Sequence, residues 1–239
     1  MKTNFHRLQR ADPEAVKKYY SEAYEYEPLP RQSYAHFLNL LGATEGKKIL
    51  DIACGTGILL EEAERRGLEC YGVDISTRAI QVARTRTRAN LKCANVDNGL
   101  DYPEGFFDYV TCLGSLEHFQ NQPKVIQEIY RVAKGEACIC IYVPNDDYLL
   151  HKFGYETDSQ PIVSRYSLKK WEQLLETNGL KIERVYKDNS HLLSLNVEGK
   201  GLKRFPKIVF KLLVKPLVPF LQLKLSYCFI FICRKKDRD

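Results

Sequence analysis

The chain has 239 residues, of which 44% are hydrophobic and 28% charged, and this globular composition excludes wholesale disorder and a collagen-like repeat. Its length predicts one large domain whose core needs neither disulfides nor a structural metal. The net charge of +6 is unevenly distributed, because residues 199–236 contain 10 basic residues and no acidic residue.

The sequence also indicates a cellular compartment. It contains no run of about 20 apolar residues, so no membrane-spanning helix is expected. Residues 1–15 lack the apolar core of a secretory signal. The eight cysteines form no CxxC pair and lie mostly in apolar runs, which favours buried free thiols over disulfides or a zinc site. We therefore expect a cytoplasmic protein without a bound metal.

The N-terminal segment is rich in tyrosine and precedes a regular alternation of strands and helices. Asp12 and Pro13 are typical of a helix start. Residues 1–45 are predicted to form a helical cap on a larger domain of residues 46–239. Five tyrosines of this cap either line a pocket or pack in its core, and the sequence leaves both open: Tyr19, Tyr20, Tyr24, Tyr26 and Tyr34.

Residues 47–144 alternate between apolar strands and helices. Strands alternating with helices of about 10–15 residues indicate a parallel sheet. The continuous apolar character of the strands indicates helices on both faces of that sheet. The predicted strands are 47–53, 68–75, 91–96, 106–114 and 136–144, and the predicted helices are 58–67, 76–89 and 123–135.

The rest of the chain adds a loop, a helix and two strands. Residues 145–166 are predicted to form a lid loop, followed by a helix at 167–179, a strand at 180–187 and a closing strand at 225–234. The closing strand is expected to run antiparallel. The fold class predicted is α/β, a Rossmann-like three-layer sandwich around a seven-stranded, mostly parallel sheet.

The segment from Ile49 to Gly57 is the most informative part of the sequence. It places Asp51 in a buried strand and two glycines, Gly55 and Gly57, at the turn into a helix. Glycine allows a close backbone approach to a ligand. Asp74 follows Gly55 by 19 residues, the spacing of an acidic residue that binds ribose hydroxyls. These residues predict a site for a ribose-containing cofactor.

A dinucleotide is disfavoured as that cofactor. The glycine that completes the G-x-G-x-x-G fingerprint is replaced by Leu60. An NAD-dependent oxidoreductase is therefore the weaker interpretation.

The segment Asp51–Gly57 resembles motif I of class I S-adenosylmethionine-dependent methyltransferases, and the resemblance extends over residues 46–185, most closely to the small-molecule type 11 group. Three later segments match the same family in order and spacing: Asn95–Leu100 with Phe107–Val110, Gly114–Phe119 and Tyr142–Asn145. The resemblance implies S-adenosyl-L-methionine as the cofactor and a small or lipid-like methyl acceptor. It implies no nucleic-acid partner.

The resemblance also assigns roles to individual residues. Asp51 steadies the loop or reaches the methionine ammonium group, Asp74 accepts from the ribose hydroxyls, and Ile75 lies on the adenine. Asn95 stands where the family usually has Asp, but its carbonyl can still accept a hydrogen bond from the adenine amino group. The remaining predicted cofactor contacts are Ala53, Gly55, Gly57, Val96, Leu113, Gly114 and, from the N-terminal helix, Tyr20.

His118 is the candidate catalytic residue, because an imidazole can remove a proton from an acceptor hydroxyl near neutral pH. It could equally cap a helix or pack under the cofactor. Glu117 is expected to support the structure, His151 is a weaker candidate in the lid loop, and His36 is expected to be packed in an apolar helix. The availability of His118 favours oxygen as the acceptor atom, and the sequence leaves nitrogen and carbon open. The alternative function is a non-catalytic S-adenosylmethionine-binding regulator or pseudoenzyme.

Residues 189–224 form a basic, amphipathic insert between the last two predicted strands. Lys203, Lys207, Lys211 and Lys215 are four residues apart, so a helix would place them along one stripe. Such a helix could cover the substrate pocket, form a dimer contact or lie on an anionic membrane through residues 199–224. The sequence leaves these three alternatives open.

Overall fold

A sheet of seven strands forms the centre of the structure. The computed structural model describes residues 13–23, 29–148, 164–188 and 222–236. Tyr24, Tyr26, His151 and residues 189–221 of the basic insert lie outside the described residues. The strands are β1 (Lys48–Ile52), β2 (Glu69–Asp74), β3 (Asn90–Cys93), β4 (Phe107–Leu113), β5 (Ala133–Pro144), β6 (Leu180–Asp188) and β7 (Cys228–Lys235).

The sheet has the order β3-β2-β1-β4-β5-β7-β6. Its first five strands are parallel, whereas β7 pairs antiparallel with both β5 and β6. This arrangement confirms the predicted seven-stranded, mostly parallel sheet with an antiparallel last strand. The carboxyl ends of the parallel strands meet at one edge, which is where α/β proteins bind ligands.

Within the described residues, six α-helices connect or flank the strands. They are α1 (Pro13–Lys18), which continues into a π-helical turn at Tyr19–Ala23, α2 (Arg31–Leu40), α3 (Ile58–Arg65), α4 (Thr77–Arg86), α5 (Gln122–Val132) and α6 (Leu168–Thr177). Ser76 caps α4, because its hydroxyl accepts from the N–H of Ala79 at 3.2 Å.

Apolar side chains from successive residues of a strand enter two different cores. Leu50 and Ile52 of β1 belong to the core that contains side chains of α5 and α6. Ile49 belongs to the core that contains side chains of α2, α3 and α4. Because neighbouring residues of a strand point to opposite faces, the sheet lies between two helical layers. The three-layer sandwich is thereby confirmed.

Leu60 and Gly72 explain how α3 packs on the sheet without a glycine in its first turn. Leu60 is fully buried, and a Cβ atom added to Gly72 of β2 would lie 2.7 Å from its Cδ1 atom. The glycine that permits close helix–strand packing therefore lies in the strand, as Gly72. In the dinucleotide fingerprint the corresponding glycine lies in the helix.

Two predicted boundaries are corrected. The helix predicted to run to residue 135 ends at Val132, and β5 begins at Ala133, because Ala133 pairs with Phe107 in the sheet. The closing strand begins at Cys228, three residues later than predicted, after a 3₁₀ turn at Leu223–Leu225. His36 is exposed, contrary to expectation, because α2 buries Tyr34, Phe37 and Leu38 instead.

The described residues include neither a membrane-spanning helix nor a cluster of metal ligands. None of the described helices combines the length and apolar character that a bilayer crossing requires. The same residues bring no three potential metal ligands together.

Candidate active site

A cavity of about 1100 Å³ opens at the carboxyl ends of the strands. It brings together residues that are far apart in the sequence, from α1 to β7. Its lining includes His118 and ten of the eleven predicted cofactor-binding residues: Tyr20, Asp51, Ala53, Gly55, Asp74, Ile75, Asn95, Val96, Leu113 and Gly114.

Gly57 is the predicted residue that does not line the cavity. Its backbone is left-handed, with φ at +75°, and it ends the loop before α3. A Cβ atom at this position would lie 3.1 Å from the Cβ atom of Ala83 in α4. The observed function of Gly57 is therefore close packing of the loop against α4.

The loop after β1 has an unusual backbone. Ala53 and Gly55 are both left-handed, with φ at +56° and +52°, and Ala53 is the only non-glycine residue of the described chain with positive φ. For an alanine this conformation is unfavourable, and such strain is typical of ligand-binding loops. The loop is held in place by the N–H of Cys54, which donates to the carbonyl of Val73 at 3.0 Å.

Asp74 connects this loop to the start of α4. Its Oδ2 atom accepts from the N–H of Gly55 and its Oδ1 atom from the N–H of Ser76, both at 2.8 Å. Burial raises the pKa of Asp74, and the two N–H groups oppose that shift. A carboxylate oxygen can accept more than one hydrogen bond, so both oxygens retain acceptor capacity toward the cavity.

Asp51 is a second buried acid at the cavity wall. Thr111 donates its hydroxyl to the Oδ1 atom of Asp51 at 2.6 Å. Burial raises the pKa of Asp51 to about 7, the Thr111 hydrogen bond opposes this shift, and the charge of Asp74 adds to it. A cationic ligand group beside Asp51 would stabilise its carboxylate form.

Asn95, Val96 and Ile75 form the far end of the cavity, beyond β2 and β3. The Oδ1 atom of Asn95 accepts from the N–H of Asp97 at 3.0 Å, which fixes the orientation of the amide. The apolar residues Ile75 and Val96 line the same cavity. This end combines apolar contact with one oriented amide, which suits a purine ring.

The exit of β4 offers an acceptor to the cavity. The carbonyl of Leu113 accepts from the hydroxyl of Ser115 at 3.1 Å, and its second lone pair is available for a ligand. The N–H of Gly114 donates to the carbonyl of Tyr142 at 2.8 Å and is therefore committed to the protein. At this exit, the Leu113 carbonyl is the group that could accept from an ammonium.

His118 lies at the other end of the cavity, close to aromatic side chains. Its ring and that of Tyr20 meet edge to face, with centroids 6.5 Å apart. Its Nε2 atom lies 3.8 Å from the Oε1 atom of Glu117, whose side chain is buried and also lines the cavity. An imidazole with a carboxylate neighbour is suited to proton transfer.

Four further lining residues were not predicted as site residues. Tyr142 comes from β5, Arg165 from the segment before α6, and Tyr227 and Cys228 from the start of β7 and the residue before it. Of these, Tyr142 lies in a segment that resembles the family. The other three lie outside the matching segments, and Tyr227 and Cys228 reach the cavity because β7 inserts beside β5 in the sheet.

The comparisons with known proteins agree with this geometry. A family model described as a methyltransferase domain matches residues 26–185, two thirds of the chain. The chain belongs to the methyltransferase domain family. Family and fold together imply S-adenosyl-L-methionine as the cofactor.

Two curated relatives of this methyltransferase are both named ubiquinone biosynthesis O-methyltransferase. The protein from Alkalilimnicola ehrlichii is 38% identical over 99 residues, which cover 39% of this chain and 40% of the relative. The protein from Azoarcus sp. is 30% identical over 160 residues, which cover 60% of this chain and 68% of the relative. The chain thus spans about half the length of these relatives.

A solved structure supports the fold of the methyltransferase. It is that of a SAM-dependent methyltransferase from Archaeoglobus fulgidus, which is 20% identical, with a TM-score of 0.63 over 86% of this chain and 95% of that one. At this level of identity the likeness shows the shared fold.

The chemistry of the lining fits S-adenosylmethionine. Asp74 offers two acceptors for a ribose diol, Ile75 and Val96 offer apolar surface for adenine, and Asp51 with the Leu113 carbonyl can hold an ammonium group. Drug-sized ligands occupy pockets of roughly 300–1,000 Å³. The methyltransferase cavity, at about 1100 Å³, accommodates the cofactor and leaves room for an acceptor.

Proposed function

We propose that this protein is an S-adenosylmethionine-dependent O-methyltransferase that acts on a small, amphiphilic acceptor. The observation that carries the proposal is the shared cavity. It joins the predicted cofactor residues at the ends of β1, β2, β3 and β4 to His118 and to the aromatic side chains of Tyr142 and Tyr227. The names of the two curated relatives support oxygen as the acceptor atom and a lipid-like acceptor.

The proposed roles of the residues depend on the strand from which they come. When bound, S-adenosylmethionine supplies an electrophilic methyl group on a sulfonium. The residues at the ends of β1, β2 and β3 bind and orient the cofactor, and Tyr20 encloses it from the π-helical turn after α1. Aromatic rings such as Tyr20 stabilise a nearby sulfonium through cation–π contact. Alignment of two reactants in a closed site supplies a large share of the rate enhancement in such transfers.

His118 is proposed to be the general base. It would accept the proton of the acceptor hydroxyl, with the buried carboxylate of Glu117 stabilising the imidazolium that forms. Replacement of His118 by Ala is expected to lower the turnover number roughly 10²- to 10⁴-fold, the usual contribution of a general base. Binding of S-adenosylhomocysteine is expected to be unchanged.

Incubation with methyl-labelled S-adenosylmethionine and fractionated cell extract tests the function. Label that enters an organic-soluble product, and that disappears in the His118→Ala variant, would support the proposal. Binding of S-adenosylhomocysteine without any labelled product would assign the chain to non-catalytic S-adenosylmethionine-binding regulators. If the His118→Ala variant formed the labelled product with an unchanged turnover number, His118 would have a structural role and would not be the general base.

We also propose that the protein acts in the cytoplasm and contacts membranes peripherally through residues 199–224. The support is the four-residue spacing of Lys203, Lys207, Lys211 and Lys215 in a stretch without acidic residues. Each basic residue near an anionic surface contributes about 1 kcal/mol of attraction.

Co-sedimentation with anionic vesicles at low and high salt tests this contact. Binding at low salt is expected, and replacing the four lysines with Gln should abolish it. A matched variant loses the same charge at four exposed lysines elsewhere, Lys124, Lys169, Lys170 and Lys181, and should still bind. Equal binding by both variants, or none by the wild type, would contradict the proposal.

A further inference from the structure

Two arginines line the described part of the cavity, and they lie at opposite ends. Arg78 is in the first turn of α4, next to the strand end that carries Asp74. Arg165 lies near the ends of β5 and β7, because its neighbour Tyr166 bridges to Asn145 and its charge acts on Cys228. Neighbouring strands are about 4.8 Å apart, so β2 and β5 are separated by roughly 14 Å. Arg165 therefore belongs to the end of the cavity that the proposed function gives to the acceptor.

The backbone on both sides of Arg165 is held by the protein. The N–H of Ser164 donates to the carbonyl of Glu117 at 2.9 Å, and the carbonyl of Tyr166 accepts from the N–H of Asp146 at 3.1 Å. The Tyr166 ring packs against Trp171 with centroids 4.8 Å apart. Arg165 thus projects from a fixed segment, as expected of a residue that positions a ligand.

The guanidinium of Arg165 lacks a counter-ion among the described residues. No carboxylate of the described chain lies within ion-pair distance of it, although the residue is partly buried. Its electrostatic neighbour is the Cys228 thiol, whose pKa is held well above its ordinary value by burial, so the thiol is neutral. A guanidinium is a planar fork that pairs with a carboxylate or phosphate through two parallel hydrogen bonds.

The residues around Arg165 indicate which kind of molecule would bear the anionic group that Arg165 binds. Tyr142 and Tyr227 line the same end of the cavity, and the Tyr142 hydroxyl donates to Asp188 at 2.7 Å. Their rings also pack against those of Phe37 and Tyr148, with centroids 5.4 and 5.1 Å apart, which fixes both rings in the lining. Aromatic rings pack well against another ring. His118 lies at this end too, so a hydroxyl and an anionic group of one molecule can be recognised together.

We propose that Arg165 determines specificity by binding an anionic substituent, a carboxylate or a phosphate, of an aromatic methyl acceptor. The inference rests on the proposed function for the location of the acceptor. Arg165 does not take part in the proton transfer at His118. It positions the acceptor by pairing with a group remote from the hydroxyl that is methylated.

The experiment measures the affinity of small aromatic probes for the complex with S-adenosylhomocysteine by ligand-observed NMR. Benzoate and phenyl phosphate are the anionic probes, and benzyl alcohol is the neutral one. The wild type should bind at least one anion about 10- to 100-fold more tightly than the neutral probe, the effect of a charge-assisted pair. Which anion binds more tightly distinguishes a carboxylate from a phosphate.

Three variants test whether the preference for anionic probes depends on Arg165. Arg165→Gln should lose the preference for anions, and Arg165→Lys should retain part of it. Lys170→Gln removes a nearby exposed cation that does not line the cavity and should keep the preference unchanged. Equal binding of charged and neutral probes by the wild type, including no binding of either, or a preference that survives in Arg165→Gln, would overturn the inference.

Binding of S-adenosylhomocysteine separates this inference from the function on which it rests. Arg165→Gln should bind S-adenosylhomocysteine within about threefold of the wild type, since a loss of one charge-assisted contact would be larger. A loss of tenfold or more would place Arg165 on the carboxylate of the cofactor and overturn the inference. A wild type that fails to bind S-adenosylhomocysteine at all would contradict the proposed function itself.

Discussion

Asp74 is the residue on which the cofactor end of the cavity depends most. Its carboxylate accepts N–H groups from Gly55 and Ser76 and faces the cavity. We expect Asp74→Ala to weaken S-adenosylhomocysteine binding about a hundredfold, because two charge-assisted hydrogen bonds to the ribose are lost. Calorimetry is the direct measurement, with circular dichroism to confirm that the variant folds.

Asp101→Ala provides the control for Asp74→Ala, since the Asp101 side chain is 98% exposed. It should bind S-adenosylhomocysteine like the wild type. Near-normal affinity in a folded Asp74→Ala protein would remove the basis of the ribose assignment.

Asp51 should make ligand binding depend on pH. Burial raises its pKa to about 7 in the free protein, so below that pH the carboxyl is largely neutral and above it charged. A ligand with an ammonium group prefers the carboxylate, so its affinity should rise between about pH 6 and pH 8. Titrations of S-adenosylhomocysteine across this range measure the effect.

In Asp51→Asn the position remains neutral at every pH. The affinity of that variant should be lower, and the rise attributed to Asp51 should be absent. An equal rise in both proteins would show that another group titrates.

At the scale of elements, the contact between α3 and β2 leaves no room for a side chain at Gly72. A Cβ atom at Gly72 would lie 2.7 Å from Leu60 Cδ1, 2.8 Å from Leu91 Cδ2 and 2.9 Å from Cys54 Sγ. We therefore expect Gly72→Ala to lower the free energy of unfolding by roughly 1–3 kcal/mol, the usual effect of overpacking. Urea denaturation measures it.

Gly135→Ala is the matched change, because a Cβ atom at Gly135 of β5 meets nothing within 4 Å. Its stability should be unchanged or slightly higher, since alanine loses less chain entropy on folding. Similar losses in both variants would indicate a general intolerance of strand alanines and not a packing conflict.

Some element boundaries could not be predicted, for an identifiable reason. The sequence from Val132 to Gly135 has no β-branched run after Val132 and contains a glycine, so local pattern predicts a helix that ends at Gly135. The observed switch at Ala133 is set by pairing with Phe107 in β4 and by the hydrogen bond from Phe106 N–H to the Val132 carbonyl. Tertiary pairing of this kind overrides local propensity.

At the scale of the whole molecule, the sequence predicts some of the residues that line the cavity and misses others. Asp51, Gly55 and Asp74 were predictable as cavity residues because the loop and an acid at the end of the next strand have a fixed spacing in the chain. Tyr142 lies in a segment that resembles the family, whereas Arg165 and Tyr227 lie outside such segments and reach the cavity through the chain topology. Sequence spacing thus predicts the cavity wall at β1 and β2, and three-dimensional topology adds the residues beside α6 and β7.

The position of β7 has a consequence for how the molecule is made. β6 pairs with β7, yet residues 189–227 separate the two strands in the chain. During synthesis β6 leaves the ribosome before β7, its pairing partner in the sheet. Until β7 has emerged, β6 cannot join the sheet and the edge of β5 remains unpaired. Such exposed edges and long-range pairings make a nascent chain slow to fold and prone to aggregate. Chaperone dependence of the nascent chain should therefore end only after Lys235 has emerged.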